Sequence, residues 1–363
     1  MKFTVDKEVL LRPLEQVSRA LPSRTTIPIL NEILFHAGDE GLTLVASDSV
    51  MTIKSVVPIV EVFIEEHGAV TLPGKKIVEI VKKLQGDITI EVKRTEAIIV
   101  SGKTRFELMG MDADEYPNYS ETKGEGFKVR GSDLKDMINK TIFATSKNSG
   151  VPILTGILFN ISNDKLSMLA CDRHRLAKTE MEIESEIDFS VVINAENLSE
   201  LIKILPDKSE VELLFAPERF VAKTDEFTFI SRVLEGAYPD VSKSIPTNFK
   251  TLVTLNTKAL METLERVFII AAEEKTNLIK LVVGEELEIQ ARTDTGRVVE
   301  TVDISKLSGE GFTVSLNAKF LLDALKAIDG DETIIHFVNG TSPIVLKGTE
   351  QENDLHLILP YRS

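Results

Sequence analysis

The sequence predicts three tandem α+β modules, each built from two helices and several antiparallel strands. Three observations predict this fold class: one pattern recurs about every 122 residues, helical periodicity marks two segments in each copy, and alternating strand patterns follow. The period is too long for a solenoid repeat, and each copy is long enough to enclose its own core. We therefore expect modules over residues 1–123, 124–247 and 248–363.

The clearest repeated element is the second helix of each module. The segments LPGKKIVEIVKKL, INAENLSELIKIL and LNAKFLLDALKAI begin at Leu72, Ile193 and Leu316, which are 121 and 123 residues apart. Their apolar residues follow the i, i+3, i+4, i+7 spacing of one helical face. These residues are Ile77, Ile80, Val81 and Leu84; Leu198, Leu201, Ile202 and Leu205; and Leu321, Ala324, Leu325 and Ile328. An earlier helix recurs over residues 9–20, 134–145 and 260–271.

Strand patterns close each module. Segments that begin at residues 88, 211 and 334 alternate apolar and polar residues around turn residues, which is typical of half-buried antiparallel strands. Shorter landmarks keep the same period. They are Pro28-Ile29-Leu30 and Pro152-Ile153-Leu154, Asp48 and Asp172 with a looser copy at Asp294, and Tyr116-Pro117 and Tyr238-Pro239.

Composition restricts the class of protein. Hydrophobic residues make up 43% of the 363-residue chain and charged residues 27%, which is typical of globular proteins and argues against extensive disorder. No apolar run approaches the roughly 18 to 20 residues of a membrane span, and the acidic N-terminal segment does not resemble a secretory signal. Cys171 is the single cysteine, which excludes an intrachain disulfide. We expect Cys171 to be a small buried residue and not a nucleophile. We expect a soluble, cytoplasmic protein without a membrane segment.

The net charge of −15 argues against nucleic acid only if the charge is evenly distributed. The six predicted helix windows hold 17 Lys and Arg against 13 Asp and Glu, a net charge of +4 that leaves −19 for the rest of the chain. The basic bias is clearest at Lys75, Lys76, Lys82 and Lys83. Either a surface formed by helices faces a polyanion, or lysine serves here simply as a good helix former on the surface.

Tandem similar modules also bear on assembly. Because modules joined in one direction have similar interfaces, a head-to-tail series either grows as a filament or closes into a ring. Unpaired sheet edges at the two chain ends would favour closure.

The sequence assembles no catalytic or metal site. Asp112, Asp114 and Glu115 lack a glycine-bearing calcium loop and are better explained as a turn between modules. Asp172, His174 and Arg175 are close in sequence, but no Ser or Cys nucleophile has a persuasive arrangement of partners around them. We therefore expect a non-enzymatic protein that uses no cofactor and no metal.

Several segments together resemble one known family. They are SGKTRFELMGMDADEYPNYSE at 101–121, PILTGILF at 152–159, CDRHRLA at 171–177 and the ending LILPYRS. In this order, and over essentially the whole chain, they resemble the bacterial β sliding clamps, the processivity subunits of DNA polymerase III. The resemblance implies three copies of the DNA-clamp fold per chain and a head-to-tail homodimeric ring. Twelve helices would line a hole around duplex DNA, and any polymerase activity would belong to the holoenzyme.

The resemblance also implies three kinds of functional residue. Arg24, Lys75 and Lys76 match positions that contact DNA; the alternative for each is a solvated surface cation. A peptide pocket used by the polymerase III catalytic subunit, the clamp loader and other clamp-binding proteins would include Leu154, Cys171, His174, Arg175, Leu176, Pro246, Leu357, Leu359, Pro360, Tyr361 and Arg362. The dimer interface would involve Phe106, Leu108, Ile270 and Ala271. For His174 and Arg175 a purely structural role, in a turn and an ion pair, stays open.

The chain departs from the family pattern at the pocket. Val151 stands where family members often carry arginine before the PIL segment, and the tail combines a bulky Tyr361 with an end at Ser363. These departures place partner preference in doubt and are compatible with a divergent second clamp. A clamp-fold module that binds partners without being loaded on DNA is the alternative function.

Overall fold

The computed structural model describes residues 1–117, 124–147, 150–349 and 353–361. This part of the chain contains six α-helices in the predicted positions. They are α1 (Lys7–Ser18), α2 (Gly74–Lys83), α3 (Gly131–Ile142), α4 (Ala195–Ile204), α5 (Thr257–Ala271) and α6 (Ala318–Leu325). Among the described residues, no helix has both the length and the apolarity that a bilayer crossing requires.

The described ranges also contain 25 strands. In the first half of the chain they are β1 (Lys2–Asp6), β2 (Glu32–Gly38), β3 (Gly41–Ser47), β4 (Met51–Pro58), β5 (Val62–Glu66), β6 (Gly68–Pro73), β7 (Asp87–Lys93), β8 (Glu96–Ser101), β9 (Thr104–Met109), β10 (Glu125–Arg130), β11 (Gly156–Ser162), β12 (Lys165–Cys171) and β13 (Arg175–Glu182). In the second half they are β14 (Phe189–Asn194), β15 (Glu210–Ala216), β16 (Arg219–Lys223), β17 (Phe227–Arg232), β18 (Thr251–Asn256), β19 (Leu278–Val283), β20 (Glu286–Arg292), β21 (Arg297–Ser308), β22 (Thr313–Asn317), β23 (Glu332–Phe337), β24 (Ile344–Gly348) and β25 (Leu355–Ile358).

The chain divides into two compact units that do not coincide with the three sequence modules. Unit 1 comprises residues 1–132 and 196–233, and unit 2 comprises residues 133–195 and 234–363. The middle module is shared: β10 and β15–β17 belong to unit 1, whereas β11–β14 belong to unit 2.

Unit 1 contains two antiparallel sheets. A five-stranded sheet has the order β5-β1-β7-β8-β9, and an eight-stranded sheet has the order β10-β15-β16-β17-β4-β3-β2-β6. Helix α1 follows β1 directly, because the Asp6 side chain caps the helix by accepting from the Glu8 amide. Helix α2 buries Ile77 and Val81, and Leu84 just beyond its end, which confirms most of the apolar face predicted for this segment.

Unit 2 contains one twelve-stranded antiparallel sheet with the order β14-β11-β12-β13-β25-β24-β23-β18-β21-β20-β19-β22. Its largest apolar core surrounds α5 and α6, where Leu321, Ala324, Leu325 and Ile328 are buried as the helical spacing predicts. Asn256 and Asn317 cap these two helices by accepting from the Ala259 and Phe320 amides. The α+β class with paired helices on antiparallel sheet is thus confirmed.

Candidate functional site

An apolar cluster in unit 2 gathers residues from five strands and a preceding 3-10 turn. We call it the groove, because the family resemblance implies a peptide pocket at several of these residues. Its base is formed by buried side chains, which are Ile153, Leu154, Cys171, Leu176, Val192, Val345 and Leu357. The register of β13 and β25 places Leu176 opposite Leu357, so two residues 181 positions apart line the same groove. Such a surface suits aliphatic or aromatic anchors of a peptide.

A tight turn between β12 and β13 shapes one end of the groove. Asp172 Oδ1 accepts from the amides of His174 and Arg175, at 3.0 Å each. Arg173 has a φ of 75°, in the left-handed region. The Leu359 amide donates to the His174 carbonyl at 2.8 Å, which attaches the C-terminal segment to this turn.

The Arg175 guanidinium is held by the protein itself. Its Nε donates to Asp172 Oδ2 at 2.9 Å and its Nη1 donates to Asp323 Oδ2 at 2.7 Å. Its central carbon also lies 4.4 Å from the Phe320 ring centroid and 5.4 Å from that of Phe143, a cation–π arrangement. These contacts favour the structural ion-pair role for Arg175, because its guanidinium is directed at Asp172, Asp323 and two aromatic rings.

Tyr238 is a groove residue that sequence reasoning did not assign. Its phenolic oxygen accepts from the Cys171 amide at 3.0 Å, and its ring packs against the apolar base. Burial raises the pKa of Tyr238, and the adjacent Cys171 raises it further. Burial likewise raises the pKa of Cys171, so the thiol is a neutral wall of the groove rather than a nucleophile. The repeated Tyr-Pro pair was the signal that could have identified this residue.

The rim of the groove is formed by half-buried and exposed side chains. Those missing from the sequence-based set include Val345 at the base and Leu234, Val241, Ile245 and Phe249 at the rim. Of the predicted rim residues, Pro246 and Pro360 are half-buried and His174 is exposed. Leu359 and Tyr361 are 38% and 39% exposed. Arg362 lies outside the described residues. Val151 is itself half-buried against the groove.

The predicted DNA-contact residues lie on the surface of unit 1. Lys75 and Lys76 are exposed in the first turn of α2, and Arg24 is exposed in the loop that follows α1. Gly74 explains how this loop approaches the helix, because a Cβ at Gly74 would lie 2.5 Å from Leu21 Cδ1. The loop therefore packs on the start of α2, three residues before Arg24.

Glu32 adds an acid to this region of unit 1. Burial raises the pKa of Glu32 to about 7, and the charge of Lys76 opposes that rise. Its Oε2 is buried and has no hydrogen-bond partner among the described residues. The Glu32 carboxyl group therefore becomes neutral as the pH falls below about 7, which removes a negative charge near Lys76.

The four predicted dimer-interface residues differ in exposure. Phe106 and Leu108 are half-buried on β9, an edge strand that pairs with β8 in its sheet. Ile270 is half-buried at the end of α5. Ala271 is 1% exposed within the unit 2 core, whereas its neighbour Ile269 is 71% exposed. Ile269 is therefore the most exposed apolar side chain near the end of α5, because the helix turns Ala271 inwards.

The acidic segment before module 2 forms a turn. Residues Ala113–Glu115 make a short 3-10 helix that Asp112 caps by accepting from the Asp114 amide at 3.0 Å. Over the described ranges, no group of three His, Cys, Asp or Glu residues is arranged to hold a metal ion.

Comparisons with known proteins agree in covering the whole chain. Profiles of the DNA polymerase III beta subunit match it in order, with the N-terminal domain at residues 1–120, the central domain at 128–240 and the C-terminal domain at 242–362. The beta sliding clamps of Bacillus subtilis and Halalkalibacterium halodurans are 36% and 37% identical to it over 100% of both chains.

Solved structures are similar over the same length. The crystal structure of the Bacillus subtilis DNA polymerase sliding clamp has a TM-score of 0.97 and 35% identity, covering 100% of this chain and 99% of that one. The beta subunit from Thermotoga maritima has a TM-score of 0.92 and 28% identity with the same coverage. A Pseudomonas aeruginosa sliding clamp bound to griselimycin has a TM-score of 0.94 and 26% identity, covering 100% of both chains.

Proposed function

Because the chain belongs to the DNA polymerase III β-subunit family of sliding clamps, we propose that two copies close head to tail around duplex DNA. The ring would slide without reading bases and would hold the replicative polymerase at its template as a non-catalytic processivity factor. The observation that carries this proposal is the family match in three consecutive domains, which accounts for the threefold sequence repeat. The bacterial cytoplasm is the compartment in which such a protein would act.

Two strand edges support the head-to-tail contact. In the described sheets, β9 pairs with β8 on one side, and residues 297–303 of β21 pair with β20 on one side. Exposed apolar side chains accompany these edges: Met109 on β9, Val299 on β21 and Ile269 on α5. An edge strand with an apolar neighbour is a surface suited to pairing with a second chain.

Light scattering from micromolar to nanomolar concentration tests the ring. A closed dimer has twice the 40.3 kDa mass of one chain. Ile269→Asp should convert the dimer to monomer by placing a charge in the contact. Val60→Asp is the matched control, because Val60 is 87% exposed between β4 and β5, and β5 lies at the opposite end of its sheet from β9. A wild-type protein that is monomeric at every concentration would contradict the ring.

Loading on nicked circular DNA distinguishes a sliding clamp from a module that only binds partners. Weak phosphate contacts suit sliding, since they hold the duplex without carrying sequence information. Arg24→Ala combined with Lys75→Ala should shorten retention on DNA at physiological salt and leave peptide binding unchanged. If the double variant is retained as long as the wild type, these residues do not contact DNA.

The apolar groove of unit 2 is the proposed docking site for linear segments of the polymerase catalytic subunit, the clamp loader and other clamp-binding proteins. Leu359→Asp should weaken binding of an aliphatic-aromatic peptide by about tenfold or more, since it places a charge on the groove rim. Leu307→Asp is the control, because Leu307 is 39% exposed on β21, compared with 38% for Leu359.

Partner preference rests on the departures at this groove. Val151 packs against the apolar base of the groove. At this position of the rim, valine can make only apolar contacts with a peptide, whereas arginine could donate hydrogen bonds to it. Val151→Arg should therefore strengthen binding of peptides that carry a carboxylate near the anchor. Equal affinities for wild type and variant would show that this position does not select partners.

A further inference from the structure

Unit 1 contains a second copy of the strand junction that builds the apolar groove. In unit 1 the Arg232 amide donates to the Val50 carbonyl at 2.9 Å, and in unit 2 the Leu359 amide donates to the His174 carbonyl at 2.8 Å. Arg232 is the last residue of β17, and Leu359 directly follows the last residue of β25. The two acceptors, Val50 and His174, directly precede the neighbouring strands β4 and β13.

The two turns have the same construction. Asp48 Oδ1 accepts from the amides of Val50 and Met51 at 2.9 and 2.6 Å, as Asp172 does for the residues two and three positions after it. Ser49 has a φ of 81°, and its counterpart Arg173 has a φ of 75°. The repeated aspartate seen in the sequence therefore marks one turn used twice.

Strand register identifies the unit 1 residues that occupy positions equivalent to those of the apolar groove in unit 2. Thr52 lies opposite Ile230 between β4 and β17, as Leu176 lies opposite Leu357 between β13 and β25. Ser47 lies opposite Thr52, as Cys171 lies opposite Leu176. Two apolar positions of the groove thus carry hydroxyl groups in unit 1, and the position of Leu359 is taken by Arg232.

A polar cavity of about 190 Å³ opens at this second junction. Arg219 and Arg232 both line it, and they lie directly opposite each other on β16 and β17. Like charges in directly opposite positions of a sheet disfavour folding, so an anion between them would be stabilising. Ser49 and Thr52 add hydroxyl groups to the lining, and Ile230 adds an apolar wall.

We propose that this junction is a second protein-docking site, and that it binds an acidic peptide segment of a partner. Guanidinium groups hold carboxylates through paired, charge-assisted hydrogen bonds, and the cavity presents two of these groups with hydroxyl donors. The site goes beyond the proposed function, which places apolar anchors in unit 2. One chain would thus bind two chemically different segments with two copies of the same turn.

Calorimetric titration of the full chain with hexaglutamate at low salt tests the proposal. This probe has no apolar anchor for the groove, and the net charge of −15 opposes its binding elsewhere. Arg219→Gln combined with Arg232→Gln should weaken binding at least about tenfold, as expected from loss of charge-assisted hydrogen bonds. Arg232→Gln alone should give part of that loss, and it is the safer variant for folding because Arg232 is exposed.

Two control variants distinguish hexaglutamate binding at this junction from general electrostatic attraction to basic residues and from binding in the groove of unit 2. Arg130→Gln makes the same charge change on β10 of the same sheet and should leave hexaglutamate binding unchanged. Leu359→Asp in the groove should also leave it unchanged, whatever it does to apolar peptides. The proposal is overturned if wild type does not bind hexaglutamate, or if Arg130→Gln weakens binding equally. Arginine-dependent binding of inorganic phosphate without peptide binding would replace it with a small-anion site.

Discussion

Lys140 of α3 donates to Asp354, just before β25, with 3.0 Å between Nζ and Oδ2. The same Nζ lies 2.7 Å from Asp136 and 2.8 Å from Asp329. Burial alone would lower the pKa of Lys140, but the three carboxylate hydrogen bonds outweigh it and raise the pKa above its ordinary value. Thr179 Oγ1 donates to the other oxygen of Asp354 at 2.6 Å, so the buried carboxylate is satisfied on both sides.

Lys140→Met should lower the free energy of unfolding by about 3 kcal/mol, because it leaves the buried Asp354 without its cation. The figure is at the low end for a broken buried ion pair, since Asp136 and Asp329 remain partly solvated. Urea unfolding measures the change. Lys258→Met is the control, because Lys258 forms an exposed pair with Glu262 and should cost well under about 1 kcal/mol. Equal losses in both variants would contradict the role of the buried network.

Gly74→Ala should weaken DNA retention more than it weakens the fold. The added methyl group would lie 2.5 Å from Leu21 Cδ1 and 3.1 Å from the Asn31 carbonyl oxygen, so Leu21 must shift. We expect the loop that carries Arg24 to shift with it. Retention on nicked circular DNA should fall, whereas the melting temperature should change little. Gly284→Ala is the control, since its Cβ would meet the Glu286 carbonyl at an ordinary 3.7 Å. Normal retention by the Gly74→Ala protein would show that the loop does not position Arg24.

Glu32→Gln should stabilise the protein at alkaline pH and have little effect near pH 4. The pKa of Glu32 is raised to about 7 from 4.5 because burial disfavours the charged form. The folded state therefore binds the proton more tightly than the unfolded state, and stability falls as pH rises from about 4.5 to 7. Urea midpoints of wild type and variant, measured across that range, should converge at the acidic end. Glu40→Gln, at an exposed turn position, should leave the wild-type slope unchanged.

Local pattern was sufficient for the helices but not for the contacts between distant segments. The spacing of Leu321 and Leu325 predicts a buried face because neighbouring turns of one helix determine it. The position of the Arg175 side chain depends on Asp323, 148 residues later, and no local pattern encodes that pair. Ala271 illustrates the same limit: its place in the repeat is correct, but the direction it faces depends on how α5 packs. The pocket residues were predicted largely through family resemblance. Tyr238 was missed although the repeated Tyr-Pro pair marked it, because a repeat does not show that a side chain reaches Cys171, 67 residues earlier.

His356→Leu should reduce the loss of unfolding free energy that the wild-type protein shows as the pH falls. His356 is buried on β25, 5.6 Å from the Phe143 ring centroid, and neither ring nitrogen has a hydrogen-bond partner among the described residues. Burial lowers the pKa of His356 to about 4, with Asp354 raising it and Lys140 lowering it further. The unfolded state therefore binds more protons between about pH 4 and 6.5, so stability is lost as pH falls through that window.

The expected loss of stability at His356 is large enough to measure. The shift from 6.5 to about 4 corresponds to about 3 kcal/mol between pH 7 and pH 4. Urea unfolding of His356→Leu at a series of pH values should give a curve flatter than wild type by that amount. At pH 7 the variant should be at least as stable, because two unsatisfied ring nitrogens are replaced by methyl groups. His36→Leu, on the exposed face of β2, should keep the wild-type slope. A His356→Leu protein with unchanged acid sensitivity would assign the slope to the neighbouring carboxylates instead.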